Sequence, residues 1–250
     1  MSYLELINIS LIAMASGLVG TFALMRRMIL AADSVSHIAL PGLGVALLLK
    51  INPIIGGAAA LLLGAFLIWF LENKTTLNTD VIIGVMFAAS LAVGSLLTPG
   101  EELIEALFGQ PQHISMIEFL AGAILSLLIV VFVFAFRDKL IISLVSSELA
   151  KVTGVNVQRL NLYFLLIFAL NIILGLKFLG ILLMGSLIIV PAAVGRNLGK
   201  SVNSALVFAA LAAVIAVLIG YFISSVYGIS FGPTVISAAT VLFLLSLLKK

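Results

Sequence analysis

The chain is 250 residues long, 63% hydrophobic and only 9% charged, with a mean hydropathy of +1.35. A soluble domain is about 25% charged, so this composition reads as an all-α, polytopic integral membrane protein whose solvent is the lipid bilayer. It forms one domain over 1–250, with no polar stretch long enough to fold separately. There is no cysteine, which excludes disulfides and thiolate metal sites, and the net charge of +3 would suit nucleic acid only if the basic residues clustered on one face.

A bilayer core of about 30 Å takes about 20 apolar residues per helix. Nine stretches meet that requirement: 6–25, 28–49, 52–71, 80–98, 114–136, 160–176, 178–195, 202–223 and 231–248. The opening MSYLELINIS lacks a basic n-region. Its apolar run is too long for a signal-peptide core, so the first stretch reads as a retained span.

The second span, ILAADSVSHIALPGLGVALLL, carries Asp33 and His37. Residues four apart share one helix face. A charge at mid-bilayer costs about 2.5–3.5 kcal/mol on insertion scales, so it calls for a partner or a function. The pair is either glue between helices or a ligand pair for a divalent metal, since carboxylate and imidazole suit zinc, manganese and iron alike. Two ligands are too few for a tight site, and two copies of the pair about a two-fold axis supply an N2O2 set. At about 1.5 Å per residue from Arg27, Asp33 lies about 9 Å deep and His37 about 15 Å deep, near the midplane. Pro41-Gly42 follows one turn later and predicts a kink in a helix lining the pathway.

Farther along, the loop 99–113 is acidic, with Glu101, Glu102 and Glu105, and it holds His113, read as an ordinary loop residue more readily than as a contact for incoming metal. Glu118 falls near the outer end of the fifth span. The longest polar loop contains SSELAKVTG, a short helix capped by Ser146 or Ser147 and ended by Gly154, within a segment of about 143–156. Lys177 divides the sixth stretch from the seventh, between Gly175 and Gly180, as a tight turn requires. Pro191 interrupts the seventh stretch, either shaping a pathway or as a tolerated bend. The run GRNLGKS at 195–201 imitates a phosphate-binding loop, but it has three residues between the glycines instead of four and no preceding soluble strand. The chain therefore has no ATP site of its own.

With the N-terminus outside, the inner loops hold Arg26, Arg27, Lys74, Arg137, Lys139, Lys151, Arg159, Arg196, Lys200, Lys249 and Lys250. That is eleven of the thirteen basic residues, Lys50 and Lys177 being the exceptions, a strong positive-inside bias. Merging the sixth and seventh stretches would give eight spans and put Arg196 and Lys200 outside. The charges favour nine spans with the C-terminus inside. The basic residues are topological, and nucleic acid drops out as a partner.

Several segments together resemble one family, the permeases of ABC importers for zinc, manganese or ferrous iron. The block LMRRMILAADSVSHIALPGLGVALLL is similar to the family's R-R-x-x-x-x-D-x-x-S-H-x-x-x-P-G pattern. LFGQ at 107–110, SSELAKVTGVNV, LLMGSLIIVPAAVGR at 182–196 and FGPTVISAATVLFLLSLL at 231–248 follow in the family's order. Glu148, Ala150 and Gly154 fit E-x-A-x-x-x-G, which looks like the coupling helix that docks on an ATPase. QPQHIS departs from the family's D-I-L-x-V-S-like run. The resemblance implies an ABC importer permease fold working as a homodimer in the cell membrane, each copy on a cytoplasmic ATP-binding subunit, supplied by an external solute-binding protein. It implies that Asp33 and His37 hold the metal in transit. The metal is cargo and no resident cofactor is expected. The chain is then a transport subunit and not an enzyme. A proton-coupled secondary transporter using Asp33/His37 as a relay, or a permease for a larger chelate, are the alternatives.

Overall fold

The apolar stretches become helices with ends close to those expected, and their caps explain where they start. The computed structural model describes residues 3–97 and 115–248, and no strand occurs among them. In chain order the helices are α1 (Tyr3–Met25), α2 (Ile29–Ser36), α3 (Ala39–Leu48), α4 (Pro53–Lys74), α5 (Thr79–Leu97), α6 (Met116–Val145) and α7 (Ser147–Val152). Then come α8 (Val157–Leu176), α9 (Leu179–Leu198), α10 (Val202–Tyr227) and α11 (Phe231–Leu247). Seven of these, α1, α4, α5, α6, α8, α9 and α10, are long and apolar enough to cross a membrane, and the stretches Ala32–Leu48 and Phe231–Leu247 are shorter apolar helices.

Asn52 caps α4 by accepting from the Ile54 N–H at 2.9 Å, with Pro53 at the first helical position, where its missing N–H is harmless. Ser115 and Glu118 close a capping box on α6. Glu118 therefore starts a helix. Ser201 and Ser204 form a second box on α10, so GRNLGKS is one helix end followed by the next helix's cap, as the failed phosphate-loop pattern predicts.

The second span departs from expectation. It is two helices, not one, with the break at His37-Ile38. Pro41 accounts for it. The ring clashes with the carbonyl four residues back, which is that of His37. The fifth span also differs. It was expected to end at 136 but continues to Val145, because nothing between Arg137 and Val145 breaks a helix and Leu140 is buried. The connecting loop, expected to begin at Arg137, is thereby shortened to the stretch after Val145.

α1 is the core helix, with 72% of its apolar window buried. It approaches its neighbours backbone to backbone. A Cβ on Gly17 would lie 2.6 Å from the Ala209 carbonyl oxygen, and one on Gly20 would lie 2.0 Å from that of Ile188. Small residues at such crossings replace the hydrophobic drive that lipid removes. Ser16 and Asn171 exchange hydrogen bonds across the α1–α8 contact, Asn171 Nδ2 donating to Ser16 Oγ at 3.0 Å.

α8 and α9 meet at a kink, where Gly180 sits at φ 72, ψ 176, a conformation essentially reserved for glycine. The chain reverses there. Asn161, near the start of α8, bonds Arg26 just past the C-terminal end of α1, while Arg196 and Gly199 at the end of α9 line a cavity with Leu24 and Met25 at that same end. Asn197 also donates to Ser246 near the end of α11 at 3.0 Å. The expected division at Lys177 thus falls between α8 and α9, with Gly180, one of its two flanking glycines, making the turn.

Candidate functional site

α2 is one short arm of the broken span, and its last two turns carry the candidate ligands. Asp33 lies in its middle and His37 caps its C-terminal end. His37 Nε2 is 4.0 Å from Asp33 Oδ1, too far for a hydrogen bond and close enough for both to face one ion. Their surroundings differ. The Asp33 side chain is 49% exposed and the His37 side chain 9%. Within an apolar helical bundle, an aspartate open on one side faces either water or another chain.

Two neighbours hold this arm, and neither was foreseen. On α9, Gly185 lies against the backbone of α2, where a Cβ would come 2.8 Å from Asp33 Cα. On α5, the Phe87 ring meets the His37 ring edge to face, with centroids 5.3 Å apart and planes at 69°. The signal for Phe87 was present as the spacing Ile83, Phe87, Ser90, Gly94, a helical stripe. Of its members, Gly94 packs on Leu40, a Cβ there falling 2.5 Å from Leu40 Cβ. Gly185 carried no comparable signal. His37 Nδ1 is buried with no hydrogen-bond partner, and Ser36 Oγ donates to the Asp33 carbonyl at 2.6 Å.

Among the described residues no group of three or more His, Cys, Asp or Glu converges. One copy of the chain therefore brings Asp33 and His37 together, with no third ligand of these types beside them among the described residues. His113 and the acidic loop residues lie outside the described residues.

Pro41 stands in the first turn of α3. Gly42 packs on α4, where a Cβ would lie 2.1 Å from the Gly56 carbonyl oxygen, and Gly56 meets Gly42 reciprocally at 2.1 Å. Pro191 is buried within α9, which runs on through it to Leu198.

The short helix expected in SSELAKVTG forms, as α7. Ser146 is the N-cap of α7, accepting from the Leu149 N–H at 3.2 Å. At the other end the Val155 N–H donates to the Ala150 carbonyl at 2.9 Å and the Gly154 N–H to that of Lys151 at 3.0 Å. This is a Schellman stop, and Gly154 at φ 79 is the left-handed residue it needs. Ala150 is fully buried against the bundle, so it seats the helix; Glu148 is exposed. The outward apolar side chains are Leu149, 51% exposed, and Val152, 85% exposed, which sequence reasoning passed over.

Residues 5–250 match the ABC 3 transport family. Over 236 residues the chain is 30% identical to the high-affinity zinc uptake system membrane protein ZnuB of Haemophilus influenzae, covering 92% of this chain and 90% of that protein. It is 26% identical over 241 residues to the manganese transport system membrane protein MntC of Listeria monocytogenes, covering 95% and 86%. Among solved structures, it superposes on a chain of PsaBC from Streptococcus pneumoniae in complex with Fab with a TM-score of 0.84 at 24% identity, covering 98% of this chain and 91% of that one.

Proposed function

The chain belongs to the ABC 3 transport family, and on that premise we propose that it is the membrane permease of an ATP-driven importer of a divalent transition metal, zinc, manganese or ferrous iron. Its family membership and its relatives named for zinc and manganese transport support this over the proton-relay and chelate readings.

The single observation that carries the site is the Asp33–His37 pair at 4.0 Å on the broken arm of an apolar span. Discontinuous helices near the bilayer midplane are where transporters build ion sites. One copy supplies a carboxylate and an imidazole. A second copy across a two-fold axis completes an N2O2 set, and the half-exposed Asp33 is the group left open for that completion. An external solute-binding protein delivers the ion. Chemistry on phosphate belongs to a cytoplasmic ATPase, which docks on α7 through Glu148, Leu149 and Val152, with Ala150 and Gly154 shaping that helix. The whole chain is one transmembrane domain with nine crossings. The seven long helices, the split span α2–α3 and the shorter α11 support that count. The N-terminus lies outside and the C-terminus inside, as the basic residues favour.

Uptake of zinc or manganese in cells carrying Asp33→Ala or His37→Ala tests this. Both variants should reach the membrane at normal levels and lose uptake by at least tenfold. Normal uptake by well-expressed variants would sink the site assignment.

A further inference from the structure

A polar network joins α1, α4, α5 and α8 and is separate from the metal pair. Arg26 follows the last turn of α1. Its guanidinium donates to Asn161 Oδ1 on α8. Asn161 Nδ2 donates in turn to both carboxylate oxygens of Glu72 on α4, at 3.0 and 2.9 Å. Glu72 also accepts from the Thr79 hydroxyl of α5 at 2.8 Å. The Phe164 ring, one turn beyond Asn161, lies under the guanidinium with 4.4 Å from Arg26 Cζ to its centroid. Burial lowers the Arg26 pKa to about 10 and the Glu72 carboxylate opposes that fall, so the guanidinium stays charged at neutral pH. Trp69 of α4 adds a bond from Nε1 to the Gln158 carbonyl at 2.9 Å. The first turns of α8 are therefore gripped by α1 and α4 together.

What this network joins is more telling than its strength. Upstream of α8, only residues 153–156 separate it from the coupling helix α7. Downstream of Arg26, the chain passes through Arg27, held at φ 60, and enters α2 with Asp33 and His37. A left-handed arginine persists only where its surroundings hold it. A cavity of about 550 Å³ borders the network, lined by Arg27, Met28, Asp80 and Leu144 among others, and it leaves the start of α8 room to shift. The path from the docking helix to the metal pair thus crosses one set of directional, charge-assisted bonds. Such bonds hold or release as a unit, which is what a two-state element needs.

We propose that Arg26, Asn161 and Glu72 are positioning residues forming an inner latch. The latch carries displacement of α7 to α2 and so ties ATP turnover in the partner subunit to the arrangement of Asp33 and His37. It rests on the importer reading above. None of the three touches the metal. Their effect is on coupling, and it is read as metal moved per ATP.

The test uses the complete complex in proteoliposomes, with zinc or manganese uptake and phosphate release measured side by side. Asn161→Ala should keep ATP hydrolysis within about twofold and lower uptake at least tenfold. The near-isosteric Thr79→Val, which removes one hydroxyl bond to Glu72 and no bulk, should lower the ratio less, and it serves where Asn161→Ala reduces yield. An unchanged metal-to-ATP ratio in Asn161→Ala and Thr79→Val overturns the latch. So does a fall of both activities in step with folded complex, which is the signature of a merely structural role. If the unaltered complex hydrolyses ATP without moving either metal, the importer reading itself fails and the latch with it.

Discussion

Gly185→Ala separates the support of the site from its ligands. A Cβ at this position would lie 2.8 Å from Asp33 Cα, 3.1 Å from its nitrogen and 3.2 Å from the Ala32 carbonyl oxygen. All three are backbone atoms, so no rotamer change relieves the contact. Carbon–carbon contacts are comfortable at about 3.5–4.0 Å, so α2 must retreat from α9 by about 0.7–1.2 Å. Metal–ligand distances hold to about 0.2 Å, several times less than that. Groups that orient a metal ligand are worth about 10–100-fold in affinity, and the retreat of α2 should cost uptake affinity a factor in that range. The fold itself should survive, because alanine favours a helix over glycine by about 1 kcal/mol, offsetting part of the strain. The control is Gly84→Ala, where nothing lies within 4 Å and uptake should not change. The assay is concentration-dependent uptake of radioactive zinc or manganese at matched membrane levels, with melting of the purified complex alongside. An unchanged affinity in Gly185→Ala would refute the idea that α9 sets the position of Asp33.

Three further outcomes follow from the packing. Gly42→Val or Gly56→Val forces side-chain carbons onto a carbonyl oxygen that a Cβ alone would meet at 2.1 Å, so the α3–α4 crossing should fail and folded yield in detergent should collapse. Asn171→Ala removes the α1–α8 bonds while the Ser16 hydroxyl keeps its bond to the Ile12 carbonyl at 2.8 Å, and should cost about 0.6–2 kcal/mol in a denaturation series, with Ser16→Ala adding little on top if the two act as one pair. Glu148→Arg and Val152→Asp should each reduce copurification of the cognate ATP-binding subunit while leaving the permease folded, since both side chains are exposed.

The order of helices was legible because apolar length and cap chemistry are local. Asn52-Pro53, Ser115 with Glu118, and Ser201 each announce a helix start within four residues. The hairpin at Gly180 was legible from charge, since only a reversal keeps Arg196 and Lys200 at the same end as Arg26, and the cavity shared by Met25, Arg196 and Lys200 is that arrangement. The break at His37 was half legible. Pro41 announced a distortion, but proline acts on the carbonyl four residues back, so the interruption falls at the candidate ligand instead of at the proline. Contacts between distant residues left no trace. Phe87 on His37, Gly185 on Asp33 and Asn161 between Arg26 and Glu72 join positions from 50 to 152 residues apart, and one sequence holds no period at such separations.

Those invisible contacts alter the meaning of the Asp33–His37 pair. Read alone, it was a charge in the wrong solvent with half a coordination set. In the bundle it sits on a two-turn helix that ends at His37, is backed by a glycine with no room to spare, and is reached from the inner end through Arg27. The arm joins α3 through His37 and Ile38, where i→i+3 bonds replace part of the α-helical ladder, so it can bend against α3 at the histidine. The feature that makes the site incomplete in one chain, an aspartate left half-open on a short arm, is also what would let a second copy and a moving coupling helix complete it or take it apart.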